Sequence, residues 1–282
     1  MRILVTGANG YLGSGIVKEL LERGHEVTAA GFRTDRVDAG AHRVACDIFA
    51  LEKSYEHLGR PEVLLHLAWK DGFSHHSAAH IENLPRHARF IAEMTGAGVR
   101  TVAGMGTMHE IGFFEGSVNE NTPCRPDNLY GIAKNALRDI TKLCAERHGA
   151  VFQWLRGYYI VGNSEYGASV FSKIAAAEKR GETEFPFTTG SNQYDFLDYD
   201  EFCKQVAAAV TQNEINGIIN ICSGKPEKLA DRVERFIAEN GFRIKLRYGA
   251  FPSRPYDSKA IWGDSSKIEE ILKRKPQKEE GV

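Results

Sequence analysis

The sequence predicts an α/β protein on a doubly wound parallel sheet, with a smaller lobe drawn mainly from its C-terminal part. Three observations carry this. Short apolar runs alternate with amphipathic helical stretches, a glycine-rich turn joins the first strand to the first helix, and the regularity loosens after about residue 164.

"RILVTG" opens the chain as a continuous apolar run, as expected of a strand covered on both faces of a parallel sheet. "GSGIVKELLERG" then reads as a helix with Ile16, Leu20 and Leu21 on one face, stopped at Gly24. "HEVTAAG" is a second strand, "PEVLLHLAW" another, "IENLPRHARFIAEMTGAG" a helix and "VRTVAGMGT" a further strand. "YGIAKNALRDITKLCAERHG" is a long helix in which Ile132, Leu137, Ile140 and Leu143 recur at helical spacing, and "AVFQWLRGYYIVG" is again a buried strand. Such alternation, with right-handed crossovers, is the Rossmann arrangement. Residues 1–163 are therefore expected to be mainly a dinucleotide-binding domain, and 164–282 mainly a small substrate-binding lobe with segments returning to the first sheet. "ASVFSKIAAAEKRGE", "YDFLDYDEFCKQVAAAVTQ", "GIINICSG" and "LADRVERFIAENG" belong to that second part, and "LKRKPQKEEGV" reads as a frayed tail.

Composition narrows the function classes. With 36 basic and 37 acidic residues among 282, the net charge of -1 supplies no field toward nucleic acid or an anionic membrane. The five cysteines (Cys46, Cys124, Cys144, Cys203, Cys222) are scattered without metal-ligand spacing, so reduced thiols and no metal site are expected. No apolar stretch approaches the ~18 residues of a membrane span, and a cytoplasmic protein is the expectation.

Gly7, Gly10 and Gly13 form G-x-x-G-x-x-G between strand and helix, which a dinucleotide needs for a tight turn, close backbone approach and free helix N–H groups. Where an acid at the end of the second strand would bond the ribose of NAD, this chain has Gly31, followed by Phe32, Arg33 and Arg36. Absence of the acid and two guanidinium candidates favour NADP(H), with NAD(H) possible, since arginine pairs with phosphate through a planar fork. The alternative is that both arginines are solvated loop residues. Asp47 either accepts from the adenine amino group or is a solvated carboxylate.

Tyr130 and Lys134 stand at i and i+4 of a helix, so an ammonium lies near a phenol and lowers its proton affinity. With this pair the chain resembles the extended short-chain dehydrogenase/reductase family of nucleotide-sugar epimerases, dehydratases and reductases, over nearly its whole length. "TGANGYLG" is similar to that family's TGxxGxxG, "HLAW" to its HxAA, Asn83 to its helix-opening Asn and "YGIAK" to its YxxxK. "LRGYYIVGN", "YDFLDYDEF", "INICSG" and "SRPYD" match its LRxxNVYGP, RDFxHVDD, YNxGSG and RPxD segments in order.

The resemblance implies site residues. The family's Ser or Thr, five residues before a glycine, falls on Thr107, ahead of Gly112, and completes a catalytic set with Tyr130 and Lys134. The cofactor would lie along Gly7, Asn9, Gly10, Tyr11, Leu12 and Gly13, with Phe32, Arg33, Arg36, Asp47 and Ile48 at its adenosine end. Leu67, Ala68, Trp69, Tyr130, Lys134, Tyr158 and Ile160 would flank its other half. A nucleotide-diphosphate sugar would meet Trp69, Thr107, Met108, His109, Tyr159 and Asn192, with Arg254 on its diphosphate. Asn163 and Tyr194 border the same region, and Tyr194 replaces a family arginine. Lys70, His75 and His76 follow the "HLAW" strand end, where active-site loops gather in such a fold, and His75 and His76 read either as part of such a loop or as solvated loop residues.

Met108 and His109 stand where the sugar dehydratases place Asp and Glu, which disfavours that elimination; Glu110 is either structural or, like His109, a proton-transfer group. NADPH suits a reductase, so the expected reaction is reduction of the 4-keto group of a nucleotide-linked 4-keto-6-deoxyhexose, with Tyr130 as proton donor. The alternatives are an NAD-dependent C4 epimerase and, without catalysis, an NADP(H)-binding redox sensor. A homodimer through the Tyr130 helix is expected from the resemblance.

Overall fold

The structure, a computed structural model, describes residues 1–162, 169–252 and 258–274. The first half runs β1 (Arg2–Thr6), α1 (Tyr11–Glu22), β2 (Glu26–Gly31), β3 (His42–Ala45), α2 (Ser54–His57), β4 (Val63–His66), α3 (Ala79–Ala97) and β5 (Thr101–Thr107). A 3-10 turn (Met108–Glu110), β6 (Gly116–Val118), α4 (Leu129–His148), β7 (Val151–Gly157) and β8 (Tyr159–Val161) follow. The rest comprises α5 (Val170–Lys179), β9 (Glu184–Pro186), β10 (Gln193–Asp198), α6 (Tyr199–Val210), β11 (Gly217–Ile221), β12 (Pro226–Lys228), α7 (Leu229–Glu239), β13 (Lys245–Arg247), β14 (Ala260–Gly263) and α8 (Ser266–Lys273).

Seven strands form a parallel sheet in the order β11-β7-β5-β4-β1-β2-β3. The apolar runs are continuous because each strand serves two cores. Ile3 and Val5 of β1 pack with Ile16 and Leu20 of α1 and with Phe202 and Val206 of α6, whereas Leu4 packs with Phe90 and Ile91 of α3 and Leu137 of α4. The chain winds outward through β1, β2 and β3 and then returns to β4 on the other side of β1, so the order reverses there. A crevice opens at such a switch point, beyond the carboxyl ends of the strands. Thr6 ends β1 opposite both Ala30 of β2 and His66 of β4, placing the glycine loop and "HLAW" at its lips.

A second sheet, β12-β10-β14-β6 with β8 beside β10, packs with α5 and α7 around Phe171, Phe196, Val233 and Phe236. Segments cross the expected division: β6, early in the chain, pairs with β14, while β11 pairs with β7 in the first sheet and α8 packs on α6 and β11. Residues 275–282, which hold most of the expected tail, lie outside the described residues.

Candidate active site

The glycine loop has the geometry a diphosphate requires. Gly7 adopts φ +67°, and a Cβ there would sit 2.7 Å from the Ala68 nitrogen, so a side chain would close the crevice. A Cβ on Gly13 would meet the Ala8 Cα at 2.7 Å, so that glycine lets α1 close on the loop. Helix α1 starts after Gly10 with no capping side chain and no acid in its first turn, leaving the N–H groups of Tyr11, Leu12 and Gly13 to an anion. The residues present therefore fit a dinucleotide. Tyr11 packs on Tyr199 with the rings tilted by 35° and their centroids 4.6 Å apart, beside a concavity of about 440 Å³ lined also by Ser14, Arg36, Val161 and Asp200.

At the adenosine end, Phe32 stands 76% exposed. Arg33 makes a two-pronged pair with Asp35, Nε and Nη2 donating at 3.0 and 2.9 Å. Asp35 also accepts from Asn9 Nδ2 at 3.3 Å, and Asn9 Oδ1 accepts the Arg36 N–H at 2.7 Å. A carboxylate thus stands against the glycine loop after all, four residues beyond Gly31, and the Arg33 fork is already engaged. Asp47 accepts from the Phe49 N–H at 3.0 Å and from Arg86 at 2.8 Å, so both its oxygens have partners.

Across the crevice, β5 delivers Thr107 and α4 delivers Tyr130 and Lys134. Asn128 caps α4 by accepting the Gly131 N–H at 2.9 Å, which sets where the first turn, and hence Tyr130, begins. Thr107 and Glu110 form a reciprocal capping box around the 3-10 turn: Thr107 Oγ1 accepts the His109 N–H at 3.3 Å and Glu110 accepts the Thr107 N–H at 2.7 Å. Thr107 accepts the His109 N–H with its oxygen, so its own proton is directed to the Tyr130 oxygen or to a substrate oxygen in its place. Burial pushes the Tyr130 phenol up to about 12, opposed by hydrogen bonding to Thr107 and helped by the charge of Glu110. Burial pushes the Lys134 amine down to about 7, with Glu110 pulling it back up. Lys134 Nζ donates to the Met105 carbonyl at 2.8 Å and lies 3.9 Å from the Trp69 ring centroid. Phenol, hydroxyl and amine are thus gathered at one place, the phenol protonated and the amine near its titration point at neutral pH; the phenol stands above its ordinary value and not below it as the i, i+4 spacing predicted, because burial outweighs an amine 6.0 Å from the ring centroid.

Comparison with known proteins identifies the family. The sequence model described as the NAD dependent epimerase/dehydratase family matches residues 3–222. The chain belongs to that family. Among its relatives, a dTDP-6-deoxy-L-talose 4-dehydrogenase (NAD(+)) of Aggregatibacter actinomycetemcomitans is 43% identical over 272 residues, 93% of this chain and 99% of that one. A probable UDP-arabinose 4-epimerase of Oryza sativa subsp. japonica is 25% identical, covering 96% of this chain and 74% of that one. Among solved structures, a UDP-N-acetylglucosamine 4-epimerase of Methanobrevibacter ruminantium M1 superposes with a TM-score of 0.83 at 20% identity, covering 99% and 93% of the two chains. The Thermus thermophilus UDP-glucose 4-epimerase, in complex with NAD, gives 0.80 at 20%, covering 98% and 94%. The chain is accordingly an enzyme of the extended short-chain dehydrogenase/reductase type that acts on nucleotide sugars with a nicotinamide dinucleotide.

Within this family frame, the remaining expected site residues divide. Leu67, Ala68 and Ile160 are half-buried beside the crevice. Trp69 is not a free platform for a sugar: its ring stacks on His87 at 4.7 Å, its Nε1 donates to His80 at 3.0 Å, and it covers Lys134. Ile48 is buried in the core beneath the sheet, leaving only its main chain for a cofactor. Tyr158 belongs to the core of the second lobe and donates to Asn220 at 3.4 Å, so its ring is committed away from the glycine loop. Asn192 donates to the Ser258 carbonyl at 2.8 Å, while Tyr159 stacks on Tyr194 at 4.4 Å. Met108 packs against the lobe core and His109 stands half-buried at the site. Arg254 and Asn163 lie outside the described residues.

Several histidines stand closer to the site than the sequence assigned them. His75 stacks on Tyr130 with ring centroids 5.5 Å apart and lies 4.2 Å from His109. Below the switch point, Thr6, His66 and His87 form a chain with 2.8 Å links, and burial holds His66 well below the ordinary histidine range. Only the finished fold brings Thr6, His66 and His87 to one point; the one sequence cue was the place of His66 in "HLAW".

Proposed function

We propose that the chain interconverts the C4 alcohol and the C4 ketone of a nucleotide-linked 6-deoxyhexose, with NAD(H) as cofactor. The observation that carries this is the Thr107–Tyr130–Lys134 group facing the glycine loop across the switch point. The 43% identical 4-dehydrogenase supports the substrate class, dTDP-6-deoxy-L-talose and its 4-keto counterpart. The reduction inferred from sequence and the oxidation in that relative's name are two directions of one couple, so one set of side chains serves both.

When bound, the dinucleotide exchanges a hydride with C4. In reduction, Thr107 and Tyr130 both donate to the C4 carbonyl oxygen and polarise it, and Tyr130 gives up its proton as the oxygen becomes an alkoxide. Lys134, behind the ring, compensates the phenolate and also suits the nicotinamide ribose. In oxidation the proton returns to Tyr130. Net reduction consumes one proton, so each unit of lower pH favours the alcohol about tenfold.

The cofactor preference shifts from NADP(H) to NAD(H) on two supports. Arg33 is engaged by Asp35, which would repel a 2′-phosphate, and the relative's name specifies NAD(+). The test mixes the enzyme with dTDP-4-keto-6-deoxyhexose and NADH and follows absorbance at 340 nm. Stoichiometric loss of NADH supports the reading. Given the C4 alcohol, a dTDP-6-deoxyhexose, instead of the ketone, inversion at C4 without net change in cofactor would make the enzyme an epimerase.

A further inference from the structure

Glu110 is fully buried three residues beyond Thr107, and everything around it is arranged to hold a carboxylate. It accepts the Thr107 N–H at 2.7 Å and the Trp154 Nε1–H at 2.9 and 3.0 Å, and Arg156 Nη2 donates at 3.5 Å. Arg138, one turn beyond Lys134 on α4, brings a second guanidinium to 4.0 Å. Every partner is a donor, which suits the ionised form. Space for the cluster comes from β5: a Cβ on Gly104 or Gly106 would fall onto the Trp154 indole, and on Gly106 it would also lie 2.7 Å from Glu110 Oε1. The spacing G-x-G-T-x-x-E in "GMGTMHE" is thereby explained as one packed unit.

Being sealed from solvent, Glu110 cannot touch a sugar, which removes it as a proton donor to substrate. We propose that Glu110 is a positioning residue: it fixes the turn that presents Thr107 and supplies the buried negative charge that acts on Lys134 behind Tyr130. This rests on Thr107, Tyr130 and Lys134 being the reaction centre. Lys134 touches the Met105 carbonyl on β5 and the Trp69 ring, with the Tyr130 ring on α4 at 6.0 Å, and it is within electrostatic reach of Glu110 from the turn and of the neutral His66 and His87 from β4 and α3. Among these Glu110 is the acidic group, so its charge sets how readily Lys134 takes a proton.

The test reads Lys134 without any substrate. Its ammonium sits over the Trp69 ring, so the pH titration of tryptophan fluorescence, taken as the difference from the same protein carrying Lys134→Met, reports its protonation. Glu110→Gln keeps the shape and removes the charge, and should lower the midpoint by about one pH unit. The pH limb of kcat should move in the same direction, with a fall in kcat larger than any rise in KM. If Glu110→Gln leaves Arg156 unpaired and does not fold, the double variant Glu110→Gln/Arg156→Met removes both buried charges and should show a smaller shift in the same direction, since loss of the guanidinium offsets part of the loss of the carboxylate. An unchanged or raised midpoint overturns the proposal. Failure to turn over any nucleotide sugar leaves this fluorescence result standing and counts against the reading of function alone.

Discussion

Lys134→Met keeps the reach of the side chain and removes its amine, so it isolates the cost of burying that charge. The amine falls from the ordinary 10.5 to about 7 through burial. A base whose folded value lies below its unfolded value binds fewer protons when native, so stability rises with pH through the interval between them. The interval, 10.5 minus about 7, is about 3.5 units, and at about 1.4 kcal/mol per unit the full swing is about 5 kcal/mol. Burial also raises the Cys203 thiol from 9.0 to about 12, and a raised acid loses stability above its unfolded value, so the clean window ends near pH 9. Between pH 7 and 9, with the native midpoint at its lower edge, Lys134 alone accounts for about 2 kcal/mol. Urea unfolding of both proteins at pH 7, 8 and 9 measures this. The wild type should gain on the variant by about 2 kcal/mol across the window, above a pH-independent offset from the lost bond to the Met105 carbonyl. Parallel stability curves would refute a depressed Lys134.

Other expectations follow from the same contacts. Gly106→Ala forces a methyl group onto the Trp154 indole and should cost about 1–3 kcal/mol in denaturant unfolding, together with a marked loss of kcat; stability within about 0.5 kcal/mol of wild type would contradict the packing. In fluorescence titrations NADH should bind more tightly than NADPH. Asp35→Ala should improve NADPH relative to NADH by about tenfold, through loss of like-charge repulsion. A wild-type preference for NADPH that disappears in Arg33→Ala would restore the reading based on Gly31. On α4, Ile132 and Leu143 are 42% and 65% exposed, although helical spacing grouped them with buried Leu137. If that face joins two copies, Leu143→Lys should convert a dimer to a monomer in sedimentation velocity, and unchanged mass would place any dimer elsewhere.

The parts legible in the sequence were those governed by local periodicity or by main-chain demands. "RILVT" is apolar on both of its faces because two cores meet on β1, and the glycine triplet marks where backbone must approach a ligand. The Tyr130–Lys134 pair was legible because a helix turn converts spacing directly into proximity. Long-range polar capture was not. Asp35 came to Asn9 through a loop whose path no period describes, and so the sequence counted Arg33 as a free fork. Glu110 could be read from sequence as structural or as a proton-transfer group, but not as a sealed carboxylate, because its burial depends on Trp154 and Arg156 arriving from β7, in space opened by Gly104 and Gly106. The second lobe was difficult for the same reason: β6, β9, β12 and β13 are three residues each and owe their existence to partners far along the chain.

The most direct test of the account follows the hydride itself. Wild-type enzyme and Tyr130→Phe would be given NADH deuterated at the transferable position of its nicotinamide and dTDP-4-keto-6-deoxyhexose, and the sugar product analysed by NMR. The account predicts deuterium at C4, one label for each NADH consumed, and a rate lowered by at least about a hundredfold in Tyr130→Phe, the usual contribution of a positioned proton donor. Deuterium absent from C4, or a Tyr130→Phe enzyme as fast as wild type, would contradict it.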